Sequence, residues 1–178
     1  MYGIVYKAIR DYVITTFGAE LWEVIKAKSG VTLDFSLTEQ PYNDDITYKL
    51  AEAVSGETGM PIDEVLTAFG EQVIEHTRTL NGFMDSRGDN LKDYLVNLPN
   101  FHNRIMLIYP ELTPPEFRIS QIAVESLYLH YISKRGGLRD FIKGYLKGLA
   151  KVFNEKVTVE PIQPLNENTP QEVFKISW

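Results

Sequence analysis

Apolar residues recur at helical spacing through the first two-thirds of the chain and then change to alternation. Ile4, Val5, Ala8, Ile9, Tyr12 and Val13 fall three and four apart, which predicts an N-terminal helix stopped near Gly18. Leu21, Trp22, Ile25 and Lys26 predict a second, short helix ending at Ser29-Gly30. Pro41 to Asp44 reads as a turn and cap, followed by a third helix from Ile46 to Val54. Pro61 suits a first helical position, and Val65, Leu66, Phe69, Val73 and Ile74 outline an amphipathic helix to about Thr79. Beyond loops at Asn81-Gly82 and from Ser86 to Asp89, two helices are expected. They run from Leu91 to Leu98 and from Asn100 to Tyr109, divided by Pro99 and ended by Pro110.

After Pro114-Pro115 the texture becomes that of strands, from Phe117 to Ala123 and from Ser126 to Ser133. Gly136-Gly137 breaks the chain, and Phe141 to Phe153 is helical. Two closing strands, Lys156 to Leu165 and Val173 to Trp178, flank a polar turn at Asn166 to Pro170. Helices first and a ββαββ unit last predict an α+β fold, an N-terminal helical lobe packed on a C-terminal lobe with a four-stranded antiparallel sheet. The 178 residues fit one domain, 1–178, with lobes of about 1–60 and about 61–178.

Composition narrows the chemistry. Hydrophobic residues make up 44% and charged residues 24%, as in ordinary soluble proteins. A net charge of −6 without a basic run argues against nucleic acid as a partner. The absence of cysteine removes disulfides, thiolate metal sites and thiol nucleophiles together. No signal-peptide pattern opens the chain, and no apolar run reaches the roughly 18 residues of a membrane span, so a cytoplasmic protein without membrane contact is expected. Gly-x-Ser-x-Gly, Gly-x-Gly-x-x-Gly and the phosphate-loop signature are all missing.

Two features remain. Tyr131, Ser133 and Arg135 are two apart on one strand and so project to one face, presenting a phenol, a hydroxyl and a guanidinium. That donor set suits carboxylates, with the arginine as a bidentate fork. Upstream, His102 shares a helical face with Leu98, Ile105, Met106 and Tyr109. An imidazole left unpaired among such neighbours costs about 1–3 kcal/mol, a penalty that metal coordination removes. A solvated strand face and a hydrogen-bonded core histidine are the ordinary explanations of each feature alone. Together they fit one ligand, haem, with iron at its centre and carboxylates at its edge. His76, between Glu75 and Arg78 on a charged helix side, and His130, opposite Tyr131, have no partner at zinc-ligand spacing.

His102, Pro114-Pro115-x-Phe117 and Tyr131-x-Ser133-x-Arg135, in this order and spacing, resemble the haem nitric oxide/oxygen binding (H-NOX) family. Ala68-Phe-Gly-Glu71 and Tyr42-Asn-Asp-Asp45-Ile-Thr-Tyr48 extend the likeness over essentially the whole chain. The resemblance implies haem b between the two lobes, with His102 as the iron ligand. Tyr131, Ser133 and Arg135 would hold the propionates, Pro115 would press on the macrocycle, and Asp45 would tether Arg135. Val5, Val73, Ile74, Phe141 and Tyr145 would line the gas side. Phe141 stands where oxygen-binding members carry a tyrosine, and Ile9 and Val73 are apolar where supporting polar residues are found.

These matches imply a non-enzymatic sensor for nitric oxide and carbon monoxide. Its partner would be a separate histidine kinase or cyclic-di-nucleotide enzyme. The rivals are an oxygen sensor with Tyr145 as distal donor, a haem enzyme of peroxidase type, and a haem-free module for carboxylated ligands.

Overall fold

The structure is a computed structural model that describes residues 3–32, 42–43, 45–78, 88–108, 115–133, 136–163 and 171–178. It divides into two compact units, Met1–Thr79 with Asp140–Gly148, and Leu80–Arg139 with Leu149–Trp178. The expected lobe boundary near residue 60 falls within the first unit.

The first unit is helical: α1 (Gly3–Phe17), α2 (Ala19–Ser29), α3 (Asp45–Thr58) and α4 (Ile62–Arg78). Helix α1 packs on α2 and α4, α2 on α3, and α3 on α4. The apolar stripes read from the sequence become its core, with Tyr6, Ile9, Val13, Ile25, Leu50, Val54, Val65 and Phe69 buried. Helix α3 runs four residues beyond its expected end at Val54, to Thr58. Its start is capped, since the Asn43 side-chain oxygen accepts from the Asp45 N–H at 3.0 Å. Buried Tyr6 donates to the Asn43 carbonyl at 2.8 Å and accepts from Thr47 at 3.3 Å, tying this cap to α1.

Helix α6 (Arg139–Val152) gives residues 140–148 to this unit, where it crosses α4 at unusually short range. A Cβ placed on Gly144 would overlap the Thr67 carbonyl, and one on Gly70 would overlap the Phe141 carbonyl. Gly148 meets the Ile74 Cβ and the Glu71 backbone, at 3.0 and 3.1 Å. Backbone therefore packs on backbone here, which only residues without side chains allow.

The second unit holds α5 (Leu91–Ile108) and the strands β1 (Glu116–Ser120), β2 (Ser126–Ile132), β3 (Thr158–Gln163) and β4 (Gln171–Ser177). The four strands form one antiparallel sheet in the order β1-β2-β4-β3. Pro161 sits on the edge strand β3 beside a register shift, where a missing N–H costs little. Strand β1 ends at Ser120 rather than Ala123, because Gln121 takes a positive φ of 47° and turns the chain.

Helix α5 overturns a sequence expectation. It continues through Pro99 instead of breaking there into two helices. Proline inside a helix costs about 3 kcal/mol. Leu91, Leu95 and Leu98 are all at most 1% exposed, and each such burial contributes about 1.5–3 kcal/mol, so the packed face outweighs the break. The start of α5 is fixed on two sides. The Asn90 side chain accepts from the Asp93 N–H at 2.8 Å, and Glu155 accepts from the Leu91 N–H at 2.9 Å.

The crossing of α4 and α6 generates a prediction. Gly144→Ala should destabilise the protein by about 1–3 kcal/mol or more, because neither backbone can yield. Gly56→Ala, at an open helical position, should stabilise it by about 0.5–1 kcal/mol. Denaturant unfolding of the two variants checks this, and equal stability of Gly144→Ala and the parent would rule out the close crossing.

Candidate functional site

The sheet of the second unit has one fully buried core face, and an opposite, outer face that is half-buried around Val173, itself 6% exposed. Direct pairing puts Phe117 opposite Tyr131, Tyr131 opposite Glu172, Leu129 opposite Phe174 and Leu127 opposite Ile176. Along β2, Leu127, Leu129 and Tyr131 are buried at alternate positions, and Ser133, one residue past the strand, continues the series. Tyr131 is 1% exposed and Ser133 8%, so their hydroxyls lie on the core face and not on a solvated one. Phe117 stacks obliquely on Tyr131, with ring centroids 5.7 Å apart. Glu116 pairs with Ile132 in the last rung, and the next residue outward on each strand is half-buried Pro115 and buried Ser133. Arg135, the third member of the motif, and Pro114 lie outside the described residues.

Helix α5, which carries His102, packs on β1. The side chains of His102, Ile105 and Met106 lie outside what is described, as does Tyr109. Leu98, on the same expected face, is 1% exposed.

The residues expected around a gas lie in the first unit. Val5 and Ile9 on α1, Val73 and Ile74 on α4 and Phe141 on α6 are all buried, and Tyr145 on α6 is half-buried. The glycine crossing fixes this part of α6, since the Phe141 carbonyl and the Tyr145 N–H are the groups nearest Gly70. Asp45 is exposed, in the first turn of α3.

The other histidines have local partners. His130 lies on the outer face, with Ser120 Oγ 2.7 Å from Nε2 and Gln171 Oε1 3.3 Å from Nδ1. His76 is more enclosed than its charged surroundings suggested, at 17% side-chain exposure, with Nδ1 3.7 Å from an Asp11 carboxylate oxygen. Burial pushes its pKa below the ordinary range, Asp11 opposes that shift, and Lys7 and Arg10 add to it. Among the described residues no group of three or more His, Cys, Asp and Glu could hold a metal ion.

Sequence reasoning passed over one polar pair. Glu172 is 4% exposed on the core face of β4, and its Oε2 lies 3.5 Å from Nε of Arg139, the first residue of α6. The signal was present in Glu172-Val-Phe-Lys-Ile176, where Glu172 stands in phase with the core residues Phe174 and Ile176.

A helical unit and a unit built on a four-stranded antiparallel sheet, with two hydroxyls on the sheet's core face, make an α+β chain. The haem-NO-binding family model matches residues 2–161. The chain belongs to this family of haem-based gas-sensor domains, whose cofactor is haem. It is 28% identical over 163 residues to soluble guanylate cyclase gcy-31 of Caenorhabditis elegans, covering 90% of this chain and 23% of that protein. With soluble guanylate cyclase gcy-32 of the same animal the identity is 30% over 165 residues, covering 89% and 24%. The chain thus spans about a quarter of the length of the curated relatives it matches. In fold it is similar to an H-NOX protein from S. oneidensis in the Fe(II)NO ligation state, with TM-score 0.87, 19% identity, and coverage of 99% of this chain and 98% of that one. The residues present fit haem in their chemistry, since buried hydroxyls in series on one face are donors for the carboxylates at its edge.

His76 generates a prediction for pH. Its folded-state pKa lies below the unfolded value near 6.5, so the unfolded chain binds more protons as pH falls through that value. Stability should be full above pH 6.5, decline below it and level off once the folded-state pKa is passed. His76→Gln should flatten this part of a stability-against-pH curve. An unchanged slope in the variant would assign the decline to other groups.

Proposed function

We propose that this chain is a cytoplasmic haem-based sensor of nitric oxide that also takes carbon monoxide. It passes its state to a separate protein, a histidine kinase or a cyclic-di-nucleotide enzyme. One observation carries the reading: in a chain matched by the haem-NO-binding model, the motif residues Tyr131 and Ser133 turn their hydroxyls onto a buried sheet face. Haem, when bound, supplies a ferrous iron able to take a diatomic gas.

The chain's own residues do the rest. His102, on α5, would supply an imidazole nitrogen to the iron. Tyr131 and Ser133 would donate to the propionates, Arg135 would add its guanidinium, and Pro115 would press on the macrocycle. On the gas side, Val5, Val73, Ile74 and Phe141 offer carbon and no hydrogen-bond donor. Bound oxygen has polar character and gains from a donor, whereas nitric oxide needs little help, so this lining favours nitric oxide. Burial of these side chains supports an apolar surrounding rather than a wet one.

Because α5 packs on β1, a shift of the helix that carries His102 would be felt at the edge of the sheet. The sensor is then a two-state element, and the gas shifts it by no more than its difference in affinity for the two states.

Two measurements test this. His102→Gly protein should lose the parent absorption spectrum in the ferrous state and regain it with added imidazole; an unchanged spectrum without imidazole would remove His102 from the iron. The reduced parent should change spectrum with nitric oxide and with carbon monoxide, while air causes only slow oxidation. A long-lived oxygen-dependent spectrum would overturn the selectivity and point to Tyr145 as a donor.

A further inference from the structure

Glu172 is an acid in the wrong place for a sheet core. It stands directly opposite Tyr131 across the β2–β4 ladder, on the same buried face, where paired Cβ atoms are about 4.5–5.5 Å apart. Ser133 continues that face two residues along. Under the reading above, which this inference rests on, these two hydroxyls receive the ligand's carboxylates. A third carboxylate beside them would repel the ligand unless something offset its charge. Arg139 does so: its Nε lies 3.5 Å from Glu172 Oε2, too long for a charge-assisted hydrogen bond but well within an ion pair.

An ion pair whose acid is buried is a poor device for stability alone, because desolvation of that acid consumes much of the attraction. Glu172 in place of a core apolar residue therefore calls for another role. Its neighbours on the face supply one. Phe117 and Tyr131 wall it on one side and Phe174 follows it on its own strand, so its field falls on the rung that carries Tyr131.

We infer that Glu172 and Arg139 form a charge-balancing pair that sets the electrostatic potential at the carboxylate-binding face of Tyr131 and Ser133. Neither residue needs to touch the ligand. Arg139 cancels the acid, and the acid keeps the Arg139 side chain, 39% exposed, at the first residue of α6. The balance between the two charges, rather than either one, determines how strongly a dicarboxylate is preferred over its uncharged analogue.

Apoprotein reconstituted with haem or with haem dimethyl ester, whose carboxylates are blocked, tests this through the ratio of the two affinities. Arg139→Gln removes one positive charge near the acid and should lower the preference for the free dicarboxylate. Glu172→Gln leaves the cation and should raise it. Each change should be about tenfold, as for a unit charge acting over about 10 Å at an effective dielectric near 20. The double variant should return close to the parent ratio. A purely structural pair would weaken both ligands alike, so an unmoved ratio in Glu172→Gln, in a protein where Ser133→Ala lowers it, overturns the inference. If Arg139→Gln fails to fold, Glu172→Gln, nearly isosteric, decides alone. If Tyr131→Phe and Ser133→Ala also leave the ratio unmoved, the carboxylate face itself is wrong and the inference falls with it.

Discussion

The period-two alternation of β2 is the constraint on which the second unit depends. Leu127, Leu129, Tyr131 and Ser133 share one buried face, so the same register that seals the core also brings two hydroxyls into it. A one-residue slip would send both hydroxyls outward and bring Tyr128, His130 and Ile132 in. That slip is opposed on both sides, by β1 through Phe117 and Tyr131 and by β4 through Phe174 and Leu129. The outer face resists it too, since His130 would lose Ser120 and Gln171. Core packing and the burial of both hydroxyls are thus specified by a single choice of register.

The first unit solves a different problem, that of holding apolar side chains at a fixed place with little freedom. Gly70, Gly144 and Gly148 let α4 and α6 approach until main chain meets main chain. Such a contact has almost no adjustable part, because no rotamer can change to absorb a shift. Phe141 and Tyr145 are carried on the stretch of α6 so fixed, so their positions follow from the crossing rather than from their own packing. Side chains carried this way keep their places through main-chain contact.

Much of this was readable in the sequence because the governing signals are local. Helical spacing of Ile9, Val13, Val65 and Phe69 and the alternation through Ser126–Ile132 gave the α+β order and the four strands. What the sequence hid was decided by distant packing. Pro99 reads as a helix break until the burial of Leu91, Leu95 and Leu98 is known, and that burial depends on elements far along the chain. The early end of β1 turns on a positive φ at Gln121, a residue with no turn signature of its own. His76 sits among charged residues in sequence, yet the packing of α1 on α4 brings it to Asp11 and encloses it. For the site, the Tyr-x-Ser-x-Arg spacing revealed a shared face but not that the face was buried, and a buried donor is worth far more to a ligand than a solvated one.

Glu172 shows how a single misfit carries information that a motif does not. In an alternating strand whose other inward residues are Phe174 and Ile176, an acid at the inward position contradicts the pattern that formed the strand. Burying it uncompensated would cost several kcal/mol, so a compensating cation had to exist somewhere in the fold. The sequence contains 18 lysines and arginines, and nothing in their spacing singles out one of them. The structure names Arg139, at the residue where α6 begins and immediately before the segment that belongs to the helical unit. An ion-pair partner of the sheet's acid is therefore also the residue from which α6 starts.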